Sequence, residues 1–123
     1  MDLAELQARA RAVAERYDRH HETAGRAPWT TEDLTLGFVG DLGDLAKLVL
    51  AVEGRRELPG ARERLGHELA DCLWSVLVLA DRYDVDLAAE FARMTSGVER
   101  HLDRLAGERP GRMTVSRRDD LPE

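Results

Sequence analysis

The chain has 123 residues and a formal net charge of -6, which suits one domain with a single core and argues against a nucleic-acid-binding face. Its single cysteine, Cys72, excludes an intrachain disulfide. The charged N-terminus is unlike a signal peptide, and no apolar run reaches the roughly 20 residues of a membrane span. These features predict a cytoplasmic protein that binds neither nucleic acid nor a membrane.

The first two amphipathic segments are predicted to be helices because their apolar residues recur at steps of three and four. The first covers about residues 3–22 and is followed by a loop with glycine and proline. The second begins near Thr30 or Thr31, either of which could cap it, and ends near residue 53. Gly54 follows, in the position where glycine commonly ends a helix.

Two further helices complete the prediction. The third covers about residues 61–83, and Asp86 is a suitable N-cap for the fourth, whose apolar residues extend to position 105. No segment alternates with the period of a strand. The sequence therefore predicts an all-α, four-helix bundle over residues 1–106, with a flexible C-terminal tail at 107–123.

Two pairs of acids interrupt the apolar faces of the second and third helices. The stretch "VGDLGDLAKL" carries Asp41 and Asp44, and "HELADCL" carries Glu68 and Asp71. On a helical wheel, where successive residues are about 100° apart, the apolar residues of each helix form an arc. The first acid of each pair falls inside that arc, and the second falls at its rim. On the second helix this arc is centred on Phe38 and is expected to bury neighbours such as Leu42 and Val49.

An ionised carboxylate on a buried face must gain a partner, take up a proton or bind a cation. Neither arc contains a lysine or arginine, and Lys47 lies away from the arc's centre. A hard divalent cation with oxygen ligands would satisfy all four acids, and Mg²⁺ is typical where carboxylates bind a metal together with substrate phosphates. The pattern therefore predicts one shared metal site.

The same two segments resemble the signature of a known family. They are similar to the ExxE…ExxD pattern of the all-α nucleoside triphosphate pyrophosphohydrolases, which include the MazG-like proteins and the related dCTP pyrophosphatases. Asp41 and Asp44 stand where the family has its first two glutamates, and Glu68 and Asp71 match the second half. The likeness extends over about residues 29–102.

The resemblance implies a helical bundle that forms a homodimer or homotetramer and binds Mg²⁺, or Mn²⁺ in its place, on Asp41, Asp44, Glu68 and Asp71. It implies hydrolysis of a nucleoside triphosphate to a monophosphate and pyrophosphate, as in nucleotide-pool housecleaning. Either Glu68 or Asp41 would orient the attacking water, and the sequence does not choose between them.

Three other side chains are candidates to contact the substrate. Trp29 could stack on a base, although a tryptophan before a helix more often packs against the helix entrance. Lys47 and Arg93 could contact phosphates, and Arg93 resembles a family position where relatives tend to have lysine; the alternative for both is solvated surface charge. Trp74 lies opposite the acids, which predicts a second buried face and hence a subunit interface.

Two alternatives to this function remain. One is a phosphoribosyl-ATP pyrophosphohydrolase, a relative with similar acids. The other is a helical module that binds a nucleotide or a protein without turnover, which is suggested by aspartate in place of both glutamates and by Gly97 where relatives often have asparagine. The sequence does not predict base or sugar preference.

Overall fold

The computed structural model describes residues 1–108, and within that range every regular element is a helix and no strand occurs. The elements are α1 (Leu3–Thr23), α2 (Thr31–Val52), α3 (Ala61–Arg82) and α4 (Leu87–Ala106). The prediction of four helices is confirmed, with ends within about one residue of those expected. None of these helices has the length and apolar character needed to cross a membrane.

The helices belong to two compact units. The first, Met1–Val85, contains α1, α2 and α3; the second begins at Asp86 and contains α4. In the first unit α3 is central, since it packs against α2 on one side and α1 on the other. The predicted C-terminal tail lies outside the described residues from position 109 onward.

The helix ends are defined by local hydrogen bonds that the sequence signals indicate. The Thr30 side chain accepts the Asp33 backbone N–H at 3.1 Å, and the Asp33 carboxylate accepts the Thr30 N–H at 3.0 Å, which forms a capping box at the start of α2. Gly54 has a φ of 80°, so the chain can turn back and the Arg55 N–H can donate to the Leu50 carbonyl at 2.8 Å. The predicted capping roles of Thr30 and Gly54 are confirmed.

The face that α2 buries is rotated from the predicted one. Leu34 and Leu48 are its buried residues, and Leu48 is only 1% exposed. The predicted core residues Leu42 and Val49 are instead 43% and 45% exposed, so that part of the prediction is wrong. Leu34, Asp41 and Leu48 follow one another at seven-residue steps, which places them in line on the same side of a helix.

The second buried face predicted for α3 exists, but α1 of the same chain covers it. The ring of Trp74 lies 6.0 Å from that of Tyr17 on α1 in an edge-on arrangement. Leu77 and Val78 are also buried within the chain. Trp74 therefore packs inside the first unit, and its position gives no evidence for a subunit interface.

Candidate metal site and adjoining cavity

Three acidic side chains converge between α2 and α3. Asp41 and Asp44 lie one turn apart on α2, and Glu68 lies on α3; one carboxylate oxygen from each is within 4.8 Å of the other two. Asp41 and Glu68 are half-buried, and Asp44 is exposed. These three residues, which we call the acidic trio, form a compact group of oxygen ligands at the edge of the helix contact.

On both helices these acids share a side of the helix with buried residues. Asp41 falls between the buried leucines Leu34 and Leu48 on the face of α2 that packs against α3. On α3, Glu68 precedes the buried residues Cys72 and Ser75 by one and two turns. The carboxylates are thus carried to the helix contact by the residues that pack it.

Within residues 1–108, no positive side chain neutralises the charge of the trio. Burial raises the pKa of Asp41 above its ordinary range, and the negative charges of Asp71 and Asp44 raise it further. Burial also raises the pKa of the Cys72 thiol, with smaller contributions from the nearby acids. The Glu68 Oε2 atom is buried without a hydrogen-bond partner, and within residues 1–108 no member of the trio forms an ion pair.

Asp71, the fourth predicted ligand, does not belong to the trio. Its Oδ2 atom lies 3.2 Å from His67 Nε2 on the same helix, and its side chain is 43% exposed. It remains close enough for its charge to raise the pKa of Asp41. The structure thus brings together three of the four predicted ligands, with Asp71 at the margin of the group.

The two predicted phosphate contacts are not part of the trio. Lys47 is exposed on α2 and forms no ion pair within the described part of the chain. Arg93 belongs to the second unit, where its Nη1 donates to Glu90 Oε1 at 2.7 Å on the same helix. Their suggested roles therefore remain predictions.

A cavity of about 330 Å³ adjoins the trio between α2 and α3. It is lined by Trp29, Asp33, Leu34, Gly37, Asp41, Trp74 and Ser75. Gly37 has no side chain and Ser75 has a small one, so neither fills this space. A Cβ added at Gly37 would meet no atom within 4 Å. Asp41 belongs to both the trio and the cavity wall, so the two features are continuous.

Trp29 is held in the cavity wall by neighbours from α1 and α3. Its ring lies 5.1 Å from that of Tyr17 and 4.7 Å from that of His21. Its backbone carbonyl accepts a hydrogen bond from Arg82 Nη2 at 3.2 Å. Trp29 therefore packs at the entrance to α2, as its sequence position suggested, and also lines the space beside Asp41.

Sequence reasoning did not predict that the other polar and small residues of this wall enclose a cavity. Gly37 precedes Asp41 by one turn, and Ser75 follows Asp71 by one turn, so each shares a helix side with an acid. Small residues on the acidic side of both helices were a usable signal for a gap. Asp33 gave no such signal, and the prediction that Trp74 lies opposite the acids is wrong, because Trp74 shares the cavity wall with Asp41.

The trio suits a small divalent cation. Its ligands are carboxylate oxygens, which Mg²⁺ and Mn²⁺ prefer. Around Mg²⁺, with bonds of about 2.1 Å, ligand oxygens of an octahedron are about 3.0 Å apart when adjacent and about 4.2 Å apart when opposite. The trio's oxygens lie within 4.8 Å of one another, so small side-chain movements would bring them to one ion. The unpartnered Glu68 Oε2 gives an independent reason to expect a ligand at this position.

Comparisons with protein-family models, with curated proteins and with solved structures find no match to this chain.

Proposed function

We propose that this protein is a Mg²⁺-dependent nucleoside triphosphate pyrophosphohydrolase that releases a nucleoside monophosphate and pyrophosphate. The proposal includes a homo-oligomeric bundle of the MazG-like type in the cytoplasm. The observation that supports it most directly is the acidic trio, with its buried, unpartnered Glu68 oxygen, beside a cavity lined by tryptophan.

Asp41, Asp44 and Glu68 would hold the cation. When bound, Mg²⁺ supplies neutralisation of phosphate charge and lowers the pKa of a coordinated water. The trio would provide this chemistry beside the cavity, because Asp41 also forms part of the cavity wall. A substrate held there would have its phosphates at the trio.

The chain's own contribution to the chemical step is to position water and accept its proton. Within residues 1–108 Glu68 Oε2 has no hydrogen-bond partner, so it would accept the proton of a water that attacks the α-phosphorus. Attack forms a new bond between that oxygen and phosphorus and breaks the bond to the bridging oxygen, and pyrophosphate leaves. Asp44, as the exposed member of the trio, would be the carboxylate most accessible to the incoming phosphates.

The test is a pyrophosphate-release screen over ribo- and deoxynucleoside triphosphates with and without Mg²⁺. We expect metal-dependent release that falls by at least about a hundredfold in Glu68→Gln, since the variant loses both a ligand charge and a proton acceptor. Glu63→Gln is the matched control, because Glu63 is an exposed acid in the first turn of the same helix.

Absence of metal-dependent release on every substrate would contradict the proposal. Equal loss of activity in Glu68→Gln and Glu63→Gln would also contradict it, because that result would trace the effect to general charge on α3 and not to the trio.

A further inference from the structure

The cavity beside Asp41 has a chemical character that phosphate hydrolysis alone does not require. The chain contains two tryptophans, and both line this space. Flat aromatic side chains bind flat heterocycles by stacking, with little dependence on the identity of the heterocycle. A cavity of about 330 Å³ also falls within the usual size of small-molecule sites.

Polar groups accompany the two indole rings. Among the described residues the Trp74 Nε1–H is buried without an acceptor, and Ser75, also in the wall, is buried. One oxygen of Asp33 accepts the Thr30 N–H in the capping box, which leaves its other oxygen available to the cavity. Nucleobase edges carry both donors and acceptors, so these groups match a base better than a purely apolar ligand.

We propose that this cavity binds the nucleobase of the substrate, and that Gly37 and Ser75 set the size of base it admits. The inference rests on the proposed function for the identity of the ligand as a nucleotide. Because Asp41 lies in both features, a nucleotide can place its base between the helices and its phosphates at the acidic trio.

Gly37 is the position where this inference can be tested most directly. A Cβ there would meet no atom within 4 Å, so a substitution begins in open space at the cavity wall. Replacing a mid-helix glycine also favours the helix, so the variant is expected to fold. Gly43→Leu is a matched control, because Gly43 lies on the same helix with equally open surroundings and does not line the cavity.

The experiment uses adenosine and cytidine, which lack phosphates and therefore do not require a metal. Since the only tryptophans of the chain line the cavity, intrinsic fluorescence reports on its occupancy. We expect both nucleosides to quench tryptophan emission of the full chain, with an apparent affinity at least tenfold weaker in Gly37→Leu and unchanged in Gly43→Leu. Gly37→Ala should weaken adenosine more than cytidine, because the purine is larger. Circular dichroism melts would verify folding of each variant.

The outcomes separate this inference from the proposed function. Quenching that Gly37→Leu abolishes and Gly43→Leu retains supports the base site. If triphosphates are hydrolysed but Gly37→Leu changes neither nucleoside quenching nor the relative KM of purine and pyrimidine substrates, the base site is overturned and the hydrolase remains. If nucleosides quench as expected but no triphosphate is hydrolysed, the base site is supported and the proposed hydrolysis fails.

Discussion

Asp41 on α2 and Glu68 on α3 present carboxylate oxygens within 4.8 Å of each other, at a contact packed by buried leucines. No positive side chain pairs with either acid among residues 1–108. In the absence of a cation this arrangement opposes folding, since burial and neighbouring negative charge both disfavour ionised Asp41. The trio therefore lowers the stability of the metal-free native state while it provides ligands for a cation. Both effects can be measured.

The first prediction concerns stability as a function of pH. The pKa of Asp41 is raised in the native state, so the native state binds this proton more tightly than the unfolded chain does. The stabilisation from protonated Asp41 is complete below the ordinary aspartate pKa of about 3.9 and is lost as pH rises through the raised native value. Relative to wild type, metal-free Asp41→Asn should therefore gain free energy of unfolding as pH rises across this window and then reach a plateau.

Urea denaturation of the two proteins at a series of pH values, with a chelator present, measures this difference. Asp103→Asn serves as a control, because Asp103 is an exposed acid outside the trio. A difference between wild type and Asp41→Asn that stays constant across pH would show that the charge of Asp41 is not the cause.

The second prediction is that a divalent cation stabilises the native protein. A ligand that binds only the native state at a hundred times its Kd adds about 2.7 kcal/mol. For a chain of this size the corresponding rise in Tm is about 10 °C. Differential scanning calorimetry with Mn²⁺ or Mg²⁺ should show this rise in wild type and in Glu63→Gln, and little change in Glu68→Gln. Equal shifts in all three proteins would place the ion elsewhere.

The third prediction separates the acidic trio from the four ligands suggested by the sequence. Asp44→Asn removes a charge from the trio and should weaken Mn²⁺ binding by at least about tenfold. Asp71→Asn should weaken it several-fold less, because Asp71 is paired with His67 and acts on the site through its charge. Titration calorimetry of both variants gives the comparison. Equal losses would mean that Asp71 also coordinates the ion.

The fourth prediction concerns the α2–α3 contact. Leu48 is 1% exposed, so Leu48→Ala should lower the free energy of unfolding by about 2–5 kcal/mol. Leu42→Ala makes the same chemical change on the same helix at a residue of the predicted face that is 43% exposed, and should change the free energy of unfolding by less than about 1 kcal/mol. Urea denaturation of both variants tests the rotation of α2, which is incorrect if Leu42→Ala proves as destabilising as Leu48→Ala.

The number of helices, their bounds and their caps could be read from the sequence because these signals are local. The capping box at Thr30 and the left-handed turn at Gly54 each depend on residues within a few positions. The one-turn spacing of Asp41 and Asp44 on α2 is equally local, whereas their approach to Glu68 on α3 was an expectation about helix packing.

Only the tertiary structure decided how the buried faces of α2 and α3 meet. A helical wheel gives angles around one axis, whereas the rotation, offset and crossing of two helices depend on the packing of all their side chains together. That packing turned α2 so that Leu48 is buried and Val49 is exposed, and it left Asp71 outside the trio. It also placed Trp29 and Trp74 around one cavity, although they are distant in the chain, because the gap between helices at Gly37 and Ser75 belongs to neither helix alone.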